Sequence, residues 1–341
     1  MFVYLIRRLL LIIPTFLGIT VVTFVLINLA PGSPIEQKLQ QIRFGAASGG
    51  GGGGSSGRGD TAVNEEVIEA LKKQYGFDKP LHIRYLIWLK NIGRMDFGES
   101  FTYQEPVIDV IASKLPVSMQ FGLTSLLFTY LICIPLGVRK AIKAGSFFDR
   151  ASTILLNVTY SIPPLVLGIF LIVVFAGKLN WFPLGGIKSD DYESLTSLGK
   201  VWDRIHHFAL PLFCYMIGGF TELSLLMRNS MLDVIKSDYV RTARAKGLSE
   251  NIVNFKHALR NALIPVITGL GAFLGAFLAG SLIIEQMFNL DGIGQLGYQS
   301  VLSRDYNVIM GLTFISSMLL MLGRLLSDVI YILIDPRIDF K

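Results

Sequence analysis

Six stretches of the chain are nearly free of charge: 9–30, 119–138, 151–176, 210–227, 263–288 and 308–334. Each is long enough to cross a bilayer, whose hydrocarbon core of about 30 Å takes about 20 helical residues at about 1.5 Å apiece. The first follows Arg7 and Arg8 and outruns the apolar region of a secretory signal, which is about 7–15 residues long. It therefore reads as a spanning helix, kinked at Pro14, with the N-terminus on the cytoplasmic side. Pro163 and Pro164 break the third stretch. Gly269, Gly271, Gly275, Ala276, Ala279 and Gly280 give the fifth a small-residue surface that lets neighbouring helices approach closely.

Between the first two stretches lies a hydrophilic insertion, 31–116, with 10 Lys/Arg against 10 Asp/Glu. Residues 45–59 (GAASGGGGGGSSGRG) are a flexible tether with nothing to pack. A phosphate-cradling loop is excluded there, because no Gly-Lys-Ser/Thr follows and no strand precedes it. Over 64–93 the pattern changes. Val67, Ile68, Leu71 and Tyr75, then Tyr85, Leu86, Trp88 and Leu89, predict two amphipathic helices split by 76–80. The insertion reads as a small helical extracytoplasmic cap.

The composition agrees with a membrane protein: 341 residues, 52% hydrophobic, 16% charged, mean hydropathy +0.54. The net charge of +6 is no nucleic-acid signal, since basic residues gather on the cytoplasmic side of membrane proteins. Residues 228–260 hold seven basic residues against three acidic ones, whereas 177–208 carry four of each sign. Both termini and the 228–262 loop are thus expected in the cytoplasm. The expected architecture is an all-α integral membrane protein with six transmembrane helices. Its organisation is 1–30 (N-terminus and first span), 31–116 (cap) and 117–341 (core). Cys133 and Cys214 sit in apolar runs, His82, His206, His207 and His257 lack metal-ligand spacing, and no catalytic constellation or Walker A motif is present. No inverted repeat is evident, which argues against many secondary transporters.

The most informative polar stretch is 238–265, DYVRTARAKGLSENIVNFKHALRNALIP. Residues 239–246 suit a short helix that Gly247 stops in the left-handed conformation. Ser249 is a candidate N-cap for a second helix, with Glu250 in its first turn and Ile252, Phe255, Leu259 and Leu263 at three- and four-residue spacing. Read by spacing alone, this is a basic helix–Gly–helix elbow or a loop that only sets topology.

The segment resembles the coupling loop, or EAA region, of ABC transporter permease subunits, in the form found in the dipeptide/oligopeptide/nickel family. There TARAKG followed by HALRNALIP is characteristic. In the commonest EAA form, Glu-Ala-Ala stands six residues ahead of the Gly. Here Arg241, Thr242 and Ala243 hold those places, and Pro265 falls 18 after Gly247. Further similarity runs from YLIRRLLLIIPTFLGITVVTFVLINLAPGSP through DFGES and PVIDVIASKLPVS to IDPRID. The pattern resembles the B-type subunits of peptide importers. Within them it is nearest the Yej-type subgroup, linked to oligopeptide and microcin C uptake.

That resemblance implies a type I ABC importer permease fold in a bacterial inner membrane. It implies a heterodimer with a second permease, cytoplasmic ABC ATPase subunits that bind ATP and Mg, and an extracytoplasmic peptide-binding protein that delivers the substrate. No cofactor is then expected on this chain, and it is not itself an enzyme. The coupling loop would comprise Arg241, Thr242, Ala243, Arg244, Ala245, Lys246, Gly247, Leu248 and Ser249. A proton-coupled secondary transporter, or an importer of nickel or another small solute, is the alternative.

Ionisable residues inside apolar spans are costly and face a cavity or a partner. Arg324 and Asp328, four apart, are expected to pair with each other. Glu222 has no local partner, and two readings stay open: a polar pathway for peptide termini, or helix packing. Glu285 opens EQMFNLDGIGQLG, which resembles the family's turn at the outer end of the pathway. The resemblance gives Glu285 and Phe288 a gating role.

Overall fold

The computed structural model describes residues 2–29, 78–271 and 280–334, with side chains for 7–29, 78–271 and 280–330. In chain order its main helices are α1 (Phe2–Leu29), α2 (Leu81–Ile92), α3 (Val107–Ile142), α4 (Phe147–Ser161), α5 (Pro164–Leu171) and α6 (Ser197–Ile235). An elbow of short helices follows, and then α7 (Leu282–Met287), α8 (Ile293–Leu302) and α9 (Tyr306–Ile334).

Four of these, α1, α3, α6 and α9, are long and apolar enough to cross a membrane. The third predicted span is α4 with α5 and its π-helical continuation, bent by 96° at the Pro163–Pro164 break. Pro164 lacks an N–H and takes the first helical position, where none is needed. Of the fifth predicted span, 272–279 lies outside the described residues, as do the tether and the first amphipathic helix of the insertion. The second amphipathic helix is α2.

The helices outrun the apolar stretches that announced them. α3 runs through Pro116 and Pro135 to Ile142, so Arg139 and Lys140 belong to its last turn and not to a loop. The reason is that helical hydrogen bonding is internal to the segment and does not stop where lipid-compatible side chains stop. Lys140 is fully buried, and its Nζ has no hydrogen-bond partner among the described residues.

The described residues form two compact units. The larger comprises 1–12, 114–296 and 316–341. One of its cores joins Cys133 and Val138 of α3 with Leu223, Met227 and Met231 of α6 and the elbow residues Val240, Val253, Ala258 and Ala262. A second gathers Phe121, Leu167, Leu171, Cys214, Tyr215, Ile284 and Phe288, with Phe121 stacked on Phe208 at 4.1 Å between ring centroids. Asp328 pairs with Arg8 at 2.9 Å rather than with Arg324. The first and last helices approach closely enough for the stronger charge contact to form between them.

α4 begins where Ser146 Oγ accepts the Asp149 amide at 3.3 Å. The Asp149 carboxylate accepts both Nε and Nη2 of Arg228 at 2.7 Å and the Gly145 amide at 3.0 Å, clamping the turn before α4 to α6. Forked arginine pairs of this kind add geometric specificity to charge attraction.

The smaller unit comprises 13–113 and 297–315. Thr20 of α1 contacts the Tyr85 hydroxyl of α2 at 3.0 Å, and Phe314 packs edge-on against Phe16 and Phe97. Buried Asp305 accepts the Ser100 hydroxyl at 2.5 Å and the Thr102 amide at 3.0 Å, fixing the loop before α3 to the start of α9.

Replacing Asp149 by Asn leaves the Arg228 guanidinium without its counter-charge. We expect a loss of about 2–3 kcal/mol, below the full cost for a buried pair because Arg228 is 24% exposed. A lowered unfolding midpoint of the purified chain in detergent, partly restored by Asp149→Glu, checks it.

Candidate functional site

The elbow begins with a helix at Asp238–Ala245. Its end is closed by two backbone bonds, Leu248 N–H to Ala243 O at 3.4 Å and Gly247 N–H to Arg244 O at 2.9 Å. These are the two bonds of a Schellman motif, and Gly247 sits at its left-handed position with φ +78°. A Cβ there would meet no atom within 4 Å, so the requirement for glycine is one of backbone handedness and not of space. Across the turn Arg244 grips Glu250, Nε to Oε1 at 2.9 Å.

Ser249 holds the N-cap position, but its side chain makes no capping bond. The second arm is one α-turn at Glu250–Ile252, a π-helical turn at Val253–Ala258, and α-turns at Leu259–Ala262 and Ile264–Thr268. The π-turn inserts an extra residue and rotates the buried face. As a result Val253, Ala258, Ala262 and Val266 are buried, whereas Ile252 and Phe255 are 44% and 56% exposed. This corrects the apolar face expected from even helical spacing. Leu259 and Leu263, two of the predicted positions, remain packed against the core.

The elbow's outer surface consequently carries Tyr239, Leu248, Ile252 and Phe255 among the exposed cations Arg241, Lys246, Lys256 and Arg260. Of the nine predicted loop residues, Ala243 is buried against the α3–α6 core, Arg244 is half-buried, and the other seven are exposed. Apolar residues mixed with positive charge on a polar rim are the composition of a protein-docking surface.

The second polar feature centres on Glu285, which is fully buried in α7. Its Oε1 accepts the Ser118 hydroxyl at 2.7 Å, the Tyr215 hydroxyl at 2.8 Å and the Ser281 amide at 3.2 Å; Oε2 accepts the Gln295 amide at 3.1 Å. Both hydroxyls are in turn fixed as donors, because Ser118 Oγ receives the Ile293 amide at 2.8 Å and Tyr215 the Ser281 amide at 3.1 Å. Each of these contacts donates to the carboxylate, and each donor is a neutral group. Gly292 makes room for this: a Cβ there would lie 2.4 Å from Glu285 Oε2 and 2.5 Å from Ser118 Oγ.

In front of Glu285 opens a cleft of about 360 Å³ between α5, α6 and α7, lined by Pro164, Cys214, Tyr215, Glu222, Ser281 and Ile283 among others. Glu222 faces it with an exposed side chain and has no hydrogen bond or ion pair among the described residues. Phe288 is 1% exposed and belongs to the core around Phe121. Its carbonyl accepts the Gly186 amide at 2.8 Å. Glu222 and Glu285 are thus brought to one cleft wall, one on its surface and one behind it. Tyr215, Ser118 and Gln295 were not legible as site residues, since their only signal is contact with a carboxylate 70, 167 and 10 residues away in sequence.

An inward-facing crystal structure of the MetNI methionine ABC transporter matches with a TM-score of 0.53 at 16% identity, covering 67% of this chain and 97% of that one. The fold is that of a type I ABC importer permease.

Residues 133–340 match the family described as binding-protein-dependent transport system inner membrane component, and the chain belongs to it. It is 45% identical to the peptidoglycan transport system permease protein YejB of Agrobacterium fabrum, over 99% of this chain and 98% of the relative. The inner membrane ABC transporter permease protein YejB of Escherichia coli O157:H7 is 43% identical, over 99% of each chain. The oligopeptide transport system permease protein AppB of Bacillus subtilis is 38% identical, also over 99% of each.

Gly292→Ala forces a methyl group into the Glu285–Ser118 contact and should cost about 1–3 kcal/mol by overpacking. Gly218→Ala, where a Cβ meets nothing within 4 Å, serves as the control. Thermal unfolding of the two variants side by side should separate them; equal midpoints would mean the carboxylate shell yields easily.

Proposed function

We propose that the chain is one of two permease subunits of an ATP-driven peptide importer in a bacterial inner membrane, with both termini in the cytoplasm. The observation that carries this reading is the elbow, with its Schellman turn at Gly247 and a mixed apolar and cationic outer surface. Relatives named as peptide-transport permeases along nearly the whole chain support it. Arg241 to Ser249 dock on a cytoplasmic ABC ATPase, which binds ATP and Mg. This chain holds no cofactor and catalyses no reaction itself. A second permease completes the pathway, and an extracytoplasmic binding protein delivers the peptide.

Coupling follows from packing. Val240, Ala243, Val253, Ala258 and Ala262 place the elbow in the same core as the ends of α3 and α6. A displacement imposed on its outer surface is therefore transmitted to two spanning helices as a rigid body, because packed interiors resist compression. A peptide's backbone and charged ends require polar partners on the way. Glu222 supplies one in the cleft, and Glu285 with Phe288 stabilises the turn that gates it.

Two experiments test the reading. Affinity purification of the tagged chain in mild detergent should retain a second permease and ATPase subunits; a homodimer that still transports peptide refutes it. In the reconstituted complex, Gly247→Val imposes about 1–2 kcal/mol of left-handed strain, a factor of about 5–30 in an equilibrium. Peptide uptake per ATP hydrolysed should fall accordingly while ATP hydrolysis persists. Unchanged uptake would remove the elbow from the coupling path.

A further inference from the structure

The cleft between α5, α6 and α7 carries one carboxylate, Glu222, on its wall, with Glu285 buried behind it, and no Lys or Arg lines it among the described residues. Glu222 reaches its surface without a partner among the described residues. Glu285, directly behind Tyr215 and Ser281, is held by hydroxyls and backbone amides. Lys114 pairs with Asp291 at 2.5 Å and Arg228 with Asp149 at 2.7 Å.

A bare carboxylate in an apolar span is costly unless water or a cation reaches it. At about 360 Å³ the cleft has room for about a dozen waters, at about 30 Å³ each, or for a side chain with fewer. Its other walls are apolar, with Pro164, Cys214, Ile283 and Ile284 flanking the acid, and Gly218 and Gly219 adding no side chains. An apolar slot that ends at an unpaired anion fits a short aliphatic stem carrying a positive head.

We propose that Glu222 is a recognition point for an alkylammonium group of the cargo, so that this permease discriminates in favour of cationic peptides within the membrane. The inference rests on the peptide-importer reading above. The ammonium has two sources, the peptide's amino terminus or a lysine side chain, which share this chemistry.

The test uses the complete importer in liposomes, with its second permease, ATPase and binding protein. Uptake is measured for peptide pairs differing by one acetyl group, either on the amino terminus or on the Nε of a central lysine. The rate ratio of free to acetylated peptide is read within each of the wild type, Glu222→Gln and Glu222→Asp. A general loss of rate and the binding protein's own preference therefore cancel.

For at least one pair, Glu222→Gln should lower the ratio by about fivefold, the factor given by about 1 kcal/mol of charge attraction, and Glu222→Asp should retain more of it. The pair that responds identifies the ammonium. Ratios equal to wild type for both pairs would overturn the inference while leaving ATP-driven uptake, and thus the importer reading, intact. Loss of the second permease from the Glu222→Gln complex would also overturn it, assigning the acid to the subunit interface. Absence of ATP-driven uptake in the wild type would instead defeat the importer reading itself.

Discussion

A carboxylate held among apolar helices must be satisfied where it stands, and Glu285 is the point on which this constraint bears hardest. With four donors drawn from α3, α6, the turn before α7 and the start of α8, it ties its own neighbourhood in the chain to Ser118 and Tyr215, 167 and 70 residues away in sequence. None of the four is charged. Removing any one donor exposes the remainder to the penalty of an unmade bond in a low-dielectric setting. Two of the donors, Tyr215 and Ser281, also line the cleft, so its wall is built on this buried carboxylate.

The elbow obeys a different constraint. It is packed against the spanning helices on one side and exposes apolar side chains on the other. The π-turn at Val253–Ala258 reconciles the two demands by shifting which residues point inward, leaving Ile252 and Phe255 on the outer surface. With regular α-helical spacing those side chains would have packed inward and the outer surface would have been polar. Irregular helix at this position is thus part of how the surface is made.

Much of the architecture was legible in the sequence, because long uncharged runs have few other uses. The break at Pro163–Pro164, the helix ending before Gly247 and the amphipathic α2 were readable from local chemistry. Three things were not. The extension of α3 past the uncharged stretch through Arg139 and Lys140 was not readable, since hydropathy marks lipid contact and not helix length. The register of the elbow's second arm was misjudged, since a π-turn leaves no trace in the residue pattern. Finally, Asp328 found Arg8 instead of Arg324, because nearness in sequence says nothing about which helices become neighbours. For the site, Glu222 and Glu285 stood out as acids in apolar runs, but the separation of their roles, one open and one enclosed, depends on contacts distant in sequence.

The turn at Gly247 has an implication for chirality. Its φ of +78° lies in the region that is the mirror image of ordinary helical backbone, and no atom stands within 4 Å of a Cβ built there. An amino acid of the D-series, with its side chain on the opposite side of the backbone, has this conformation as its natural minimum. The position therefore disfavours L-residues with a side chain by about 1–2 kcal/mol on handedness alone, and a D-alanine introduced by chemical ligation would hold the elbow more firmly than the glycine it replaces.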